Sequence, residues 1–289
     1  MPKDILQLIQ ENMKTFSKGQ KRIAAFIQDS YDKAAFMTAS KLGKTVNVSE
    51  STVVRFAAEL GYDGYPAMQR ALQEMIRSKL TSVQRIEVAN DRLGNQDVLT
   101  TVMQADIEKI RMSLEECDRA AFEAAVDAIS NAKRIYILGV RSSFAISSFL
   151  GFYFNLIFKN VVQVHSNTAS EMFEQLFRVE EGDVVIGISF PRYSRRTVQA
   201  LRFARDRKAT VVAITDSAAS PLADCANLTL LAKSDMASFV DSLVAPLSLI
   251  NALIVAVSQK RKDDLANTFE SLEKIWDEYE VYEKAEHES

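Results

Sequence analysis

Cysteine and histidine are scarce in this chain, two of each among 289 residues. Two cysteines, Cys117 and Cys225, cannot build a disulfide framework, so both are expected as buried, reduced thiols. The sequence contains no Cys/His cluster, no His-x-x-Glu-His arrangement and no GxGxxG, so it carries no signal for a metal or a nucleotide cofactor, and none is expected. Long apolar runs are also missing. The nearest, 238–257, contains Asp241 and Asn251; it reads as a buried helix at a dimer interface, with Pro246 placed to kink it, rather than as a membrane span. The opening Met-Pro-Lys-Asp has no signal-peptide pattern. A cytoplasmic protein with no membrane partner is the expectation.

Charge of one sign is not in excess overall, at −3, which argues against a simple polycation. The average hides an asymmetry: residues 1–80 hold twelve basic and eight acidic residues, so the first part is basic and the remainder acidic. Phosphate contact requires such a bias, because Lys and Arg must replace condensed counterions.

The most informative stretch is 47–61. Ser49 is a good N-cap and Gly61 a good residue just past a helix C-terminus, so both ends are marked. Val53, Phe56, Ala57 and Leu60 recur at i, i+3, i+4 and i+7 and form one apolar stripe. The opposite face, Glu50, Ser51, Val54, Arg55 and Ala58, is mostly short, so the helix backbone can approach a DNA major groove with its N-terminal residues nearest the bases. Upstream, Thr38 caps a short helix carrying Ala39, Leu42 and Gly43, and Asn47 tolerates the left-handed turn that joins the two, with Val48 expected buried. Ser17 to Gln20 has the form of a capping box, and Pro66 suits the first turn of a further helix. The first 80 residues read as about five helices.

Val46-Asn-Val-Ser-Glu-Ser-Thr-Val-Val-Arg-Phe56, followed by Leu60-Gly-Tyr-Asp-Gly-Tyr-Pro-Ala-Met68, resembles the N-terminal helix-turn-helix of the RpiR (MurR/RpiR) family of bacterial transcriptional regulators. The resemblance covers roughly 1–77 and implies double-stranded operator DNA as a partner. The candidate DNA contacts are Lys41, Lys44, Ser49, Glu50, Ser51, Thr52, Val54 and Arg55.

Residues 81–97 are polar, carry turn signals and show little periodicity, so a linker is expected there. Two helices follow, and from Arg134 the period changes. Short apolar runs at 135–140, 161–164, 183–189, 210–215 and 228–231, with helical segments between the first four, have the rhythm of a parallel sheet buried on both faces. Ligands of such sheets bind beyond the carboxyl ends of the strands, where helix N-termini offer free N–H groups. Two loops lie there, 139–143 and 189–197, and together they carry hydroxyls and four arginines, Arg141, Arg192, Arg195 and Arg196, which suits phosphate or carboxylate.

With Gly182-Asp-Val-Val185, Ala213-Ile-Thr-Asp216 and Ser220-Pro-Leu-Ala223, the region 120–255 resembles the SIS domain, the sugar-isomerase fold that forms the effector half of RpiR-type regulators. The resemblance implies a phosphosugar effector and a homodimer or homotetramer. Its phosphate loop usually reads Ser-x-Ser-Gly-x-Thr; here Ser189 and Ser194 match, while Pro191 and Arg192 replace the middle Ser and the Gly. In the first loop Arg141 stands at a usual Gly and Ser143 is retained. The candidate effector contacts are Arg141, Ser142, Ser143, Ser189, Arg192, Tyr193, Ser194 and Thr197.

The expected fold is therefore α + α/β: an all-helical helix-turn-helix domain over 1–80, a linker over 81–97, and over 98–289 an SIS domain with a five-stranded parallel sheet flanked by helices. The competing function is a phosphosugar isomerase, which needs a base and often a ring-opening His. His287 lies in the tail, and His165 with Glu171 and Glu174 are the remaining groups for such a site. No catalytic residue is assigned, because an isomerase has no use for a basic helical head.

Overall fold

The computed structural model describes residues 5–79, 81–93, 97–165, 168–234 and 240–282. The expected tail beyond 282 and the start of the 238–257 run fall outside them. The chain divides into two compact units, 1–103 with 236–241, and 104–235 with 242–289.

In the first unit, six helices come before residue 80: α1 (Ile5–Asn12), α2 (Lys18–Asp29), α3 (Tyr31–Ala34), α4 (Ala39–Thr45), α5 (Glu50–Glu59) and α6 (Gly64–Lys79). The four-residue α3 is the one that periodicity could not announce. Ser17 and Gln20 form the capping box that starts α2. The apolar stripes converge on one core that includes Ile23, Ile27, Leu42, Val53, Phe56, Met68 and Leu72. Phe56, fully buried and 5.0 Å from the Phe16 ring, contributes about 2–3 kcal/mol by burial alone. Three side chains of α6 tie off carbonyls just past α3. The Tyr65 hydroxyl and Gln69 Nε2 both donate to Met37 O, at 2.7 and 2.8 Å, and Gln73 Nε2 donates to Ala35 O at 2.9 Å. Burial pushes the Tyr65 hydroxyl up to about 12.

The stretch expected as a linker is instead largely helical: α7 spans Ser82–Leu93. Thr81 and Gln84 make a reciprocal cap, Gln84 N donating to Thr81 Oγ1 and Thr81 N to Gln84 Oε1. Its inward face is Arg85, Val88 and Ala89. That stripe closes on a buried arginine, and hydrophobic periodicity does not count such a residue. Arg85 is neutralised by Asp241 at 2.6 Å, 156 residues away in sequence.

The second unit follows α8 (Val98–Glu115) with α9 (Arg119–Ser130), β1 (Ile135–Gly139), α10 (Ser142–Ile157), β2 (Val161–Val164), α11 (Ala169–Leu176), β3 (Val184–Ile188), α12 (Arg195–Asp206), β4 (Thr210–Thr215), β5 (Leu228–Leu231), α13 (Val244–Lys260) and α14 (Lys262–Glu278). The five strands are all parallel, in the order β2-β1-β3-β4-β5. β1 and β3 are buried throughout, so their side chains alternate between two apolar layers rather than between core and water. Ile135 and Ile137 face a cluster that includes Leu150 of α10 and Leu253 of α13; Tyr136 and Leu138 face one that includes Met172 of α11 and Leu201 of α12. The result is a sheet with helices on both faces.

Two further expectations change. α13 starts at Val244, so Pro246 lies in its first turn, where a missing N–H costs nothing, and no kink is required. Within its own unit the helix buries Ile250, Leu253 and Val257 and leaves Asn251, Ala252 and Val255 exposed. Cys225 is buried, but Cys117 is only half-buried, and both are free thiols.

At the base of the sheet Asp183 is fully buried and accepts from Arg134 Nε at 3.1 Å and from its terminal nitrogen at 2.9 Å. Glu180 N donates to the same carboxylate at 3.0 Å. This hydrogen bonding raises the Arg134 guanidinium above its ordinary value. The pair fixes the starts of β1 and β3, and with them the positions at which both strands run out.

Candidate functional site

α5 is set by its two ends. Ser49 is extended (φ −72°, ψ 152°) and its hydroxyl accepts from Thr52 N at 3.3 Å, satisfying one free N–H of the first turn. Before it, Asn47 holds φ 54°, and Val48 N donates to Gly43 O at 2.8 Å. A Cβ on Gly43 would lie 2.9 Å from Val48 O, so only glycine lets α4 and the turn approach this closely. Past the helix, Gly61 at φ 87° lets Tyr62 N reach back to Ala57 O at 3.1 Å. Val48 at the turn is half-buried rather than buried.

The resulting helix buries Val53, Phe56 and Ala57 and exposes Glu50, Ser51, Val54, Arg55 and Ala58. Of the eight candidate DNA contacts, Lys41, Lys44, Ser49, Glu50, Ser51, Val54 and Arg55 are exposed; Thr52 is half-buried, with its methyl toward Gly19 of α2. The Ser49 hydroxyl also lies 2.9 Å from Ser51 Oγ and 2.8 Å from Thr52 Oγ1, so three hydroxyls gather at the helix N-terminus. Arg55 Nε donates to Ser51 O at 3.3 Å, which lays its side chain along its own helix. The arrangement is a hydroxyl-rich helix start with a low outer face, beside the exposed Lys41 and Lys44 of α4, suited to phosphates and base edges.

In the second unit, the strand order places a topological switch between β1 and β3. The chain leaves β1 for β2 on one side and β3 for β4 on the other, so a crevice opens between the loops that follow these two strands. Both candidate loops are there, in a register that pairs Gly139 with Ile188. The first loop turns sharply: a Cβ on Gly139 would lie 2.4 Å from Ser143 O. Arg141, at the N-cap position of α10, has φ 58° and ψ −125°, a corner normally held by glycine. Ser142 is exposed and Ser143 buried.

The second loop is held mostly by its own hydroxyls. Ser189 Oγ accepts from Ser194 N at 3.1 Å, and Ser194 Oγ caps α12 by accepting from Thr197 N at 3.3 Å. The Tyr193 hydroxyl donates to Asp216 Oδ1 at 2.8 Å. Arg192 is exposed at φ 59°, and Arg195 and Arg196 are exposed on the first turn of α12. Thr197 is fully buried, with no hydrogen-bond partner on its hydroxyl among the described residues. The sixteen-residue α10 and twelve-residue α12 both start at this edge, so two helix N-termini add partial positive charge to that of the arginines.

The eight candidate effector residues thus divide. Arg141, Ser142 and Arg192 are exposed; Ser143, Ser189 and Thr197 are buried; Tyr193 and Ser194 are half-buried and already bonded within the unit. Asp216, which anchors Tyr193, had no role from sequence beyond its place after β4. His165 is exposed after β2, its ring 5.7 Å from that of Phe144 and its backbone bonded to Gln175. Two cavities of the unit, of about 410 and 780 Å³, lie against β5 and the C-terminal end of α10 and do not include these loops. An anion site made of backbone N–H groups and long side chains needs no deep hollow, so the topology is the better guide.

A helix-turn-helix head joined to an α/β unit with an anion-suited switch crevice defines a class, the ligand-responsive DNA-binding regulators. Residues 3–79 match the helix-turn-helix domain of the rpiR family, and residues 128–256 match the SIS domain. The HTH-type transcriptional regulator HexR of Escherichia coli is 28% identical over 280 residues, covering 93% of this chain and 94% of that protein. The Vibrio vulnificus NanR protein, solved in complex with ManNAc-6P, superposes with a TM-score of 0.58 at 22% identity, over 94% of this chain and 98% of that one. The sugar isomerase domain of an RpiR transcription factor from Sphaerobacter thermophilus is 28% identical with a TM-score of 0.57, over 62% of this chain and 99% of that one. The chain belongs to the RpiR family of DNA-binding transcriptional regulators, with an N-terminal helix-turn-helix and a C-terminal SIS domain. No helix among the described residues is long and apolar enough to cross a membrane.

Proposed function

We propose that this regulator reads operator DNA through the eight residues around α4 and α5 and senses a phosphorylated sugar, or a related anionic carbohydrate, at the two strand-end loops. The observation that carries the DNA half is the exposed, low face of α5 between its two caps, beside exposed Lys41 and Lys44. The effector half is supported by the placement of both loops at the β1–β3 switch and by the sugar phosphate in the NanR complex. Boundaries near 80 and 98, with α7 between them, divide the two roles. A cytoplasmic homodimer or homotetramer fits the mechanism: the effector binds two arrangements of the copies with different affinity and so changes the spacing of their heads.

Catalysis is the second reading, and the site does not favour it. His165 is exposed and bonds to Gln175 through its backbone rather than its ring, and among the described residues no acid or base is hydrogen-bonded to the carboxylate of Glu171 or Glu174. The test is salt-dependent binding of the full chain to promoter fragments of its own genome. Arg55→Ala should weaken operator binding by about tenfold or more, roughly 1–3 kcal/mol, and leave effector binding alone. Equal loss of both activities would show that the two sites are not separate.

A further inference from the structure

Several arginines of the second unit are matched to a protein acceptor: Arg111 to Glu108, Arg134 to Asp183, Arg205 to Asp224 O, Arg207 to Phe177 O, Arg261 to Asp264 and Ser130 O. Arg141 and Arg192 are set apart by their backbone as well as by their exposure. Both are exposed, and among the described residues neither guanidinium has a hydrogen-bond or ion-pair partner. Both also occupy backbone conformations that favour glycine, φ 58° with ψ −125° for Arg141 and φ 59° for Arg192. A long cationic side chain is thus held at two strained corners, each on the loop after one of two adjacent strands, on either side of one crevice.

The phosphate of a sugar phosphate does not use up these features. The start of α12, with the buried and unpartnered Thr197 hydroxyl in its first turn, is enough to receive one phosphate group. With Arg195 and Arg196 on the first turn of α12 beside that phosphate, the guanidiniums of Arg141 and Arg192 are left over, and their planar donor forks match a second anion. We propose that the effector carries two anionic groups, a phosphate and, at its other end, a carboxylate or second phosphate that Arg141 and Arg192 grip together. This rests on the reading of the loops as a phosphosugar site and narrows it to phosphosugar acids and sugar bisphosphates.

Calorimetric titration of the full-length protein with glucose 6-phosphate, 6-phosphogluconate and fructose 1,6-bisphosphate tests it. At least one doubly anionic probe should bind about tenfold or more tighter than glucose 6-phosphate, and which of the two does so identifies the second group as carboxylate or phosphate. Arg141→Gly and Arg192→Gly should each lower that ratio by about tenfold. Glycine accepts both backbone conformations, and a thermal melt of each variant separates lost binding from lost fold. Glucose 6-phosphate binding as tightly as both other probes, or a ratio unmoved by either glycine variant, overturns the two-anion effector and leaves the phosphosugar site standing. Absence of binding by all three overturns both.

Discussion

At the turn before α5 the positive φ falls on Asn47 and, past the helix, on Gly61; at the ends of β1 and β3 it falls on Arg141 and Arg192. Asn and Gly relax into such conformations, and both are natural choices for a turn whose purpose is to aim a helix. Arginine gains nothing from them. The turn before α5 therefore spends its difficult backbone position on geometry, whereas the two loops at the β1–β3 switch spend theirs on placing charge. The two units also differ in where an ion pair sits: in the first, Arg85 and Asp241 meet across 156 residues of sequence at the side of an apolar core, whereas in the second Arg134 and Asp183 join the starts of β1 and β3 at the base of the sheet.

The largest expected break in that comparison is at the ion pair. Arg134→Ala leaves the Asp183 carboxylate, fully buried between β1 and β3, without its partner. Because the Arg134 side chain is 29% exposed and Asp183 keeps the Glu180 N–H, the loss lies at the low end for such pairs, about 3 kcal/mol. Denaturant unfolding followed separately in the two units should show the effector unit weakened by that order and the head unchanged. A shared loss would mean that the head depends on the sheet.

Much of the head is legible because its determinants are neighbours in sequence. Ser17, Thr38, Ser49 and Gly61 mark helix ends within three or four residues of the groups they satisfy, and the stripes of α5 and α6 repeat at helical spacing. The strand positions of the sheet are legible for the same reason, to within a residue. What fails to show is whatever is completed from afar. α7 hides because Arg85 is made buriable by Asp241, and Asp216 gains its place only when β4 is laid beside β3 and Tyr193 reaches it. The hydroxyls of Ser189 and Ser194 look identical in sequence whether they bind a ligand or each other's backbone; in the fold both are engaged in holding the loop.

A smaller effect separates the units by pH. In the head, the Tyr65 hydroxyl is pushed up to about 12 by burial, against about 10 for an unfolded tyrosine. The neutral form is the one the fold favours, so its stabilising share is complete below pH ~10 and is lost as pH rises toward ~12. Two units correspond to about 3 kcal/mol at most. The head of the wild-type chain should lose stability across that window by more than Tyr65→Phe does, since phenylalanine has no proton to lose. Parallel curves for the two proteins would show that Tyr65 ionises no differently in the folded state.

The smallest effect bears most directly on the contrast between the turns. Asn47→Gly in the head replaces one residue that tolerates a left-handed backbone with another, and the melting temperature should move little, within about 0.5 kcal/mol. Arg141→Gly in the effector unit relieves a corner that side chains rarely occupy, and that relief exceeds the extra entropy glycine holds in the unfolded chain; a gain of about 1 kcal/mol is expected. A stabilised Arg141→Gly with a neutral Asn47→Gly would mean that the effector loop keeps an arginine at the expense of its own stability, a cost that makes sense only if the side chain is needed elsewhere than in the fold. If Arg141→Gly instead destabilises the unit, the guanidinium has a structural task, and the difference between the two turns disappears.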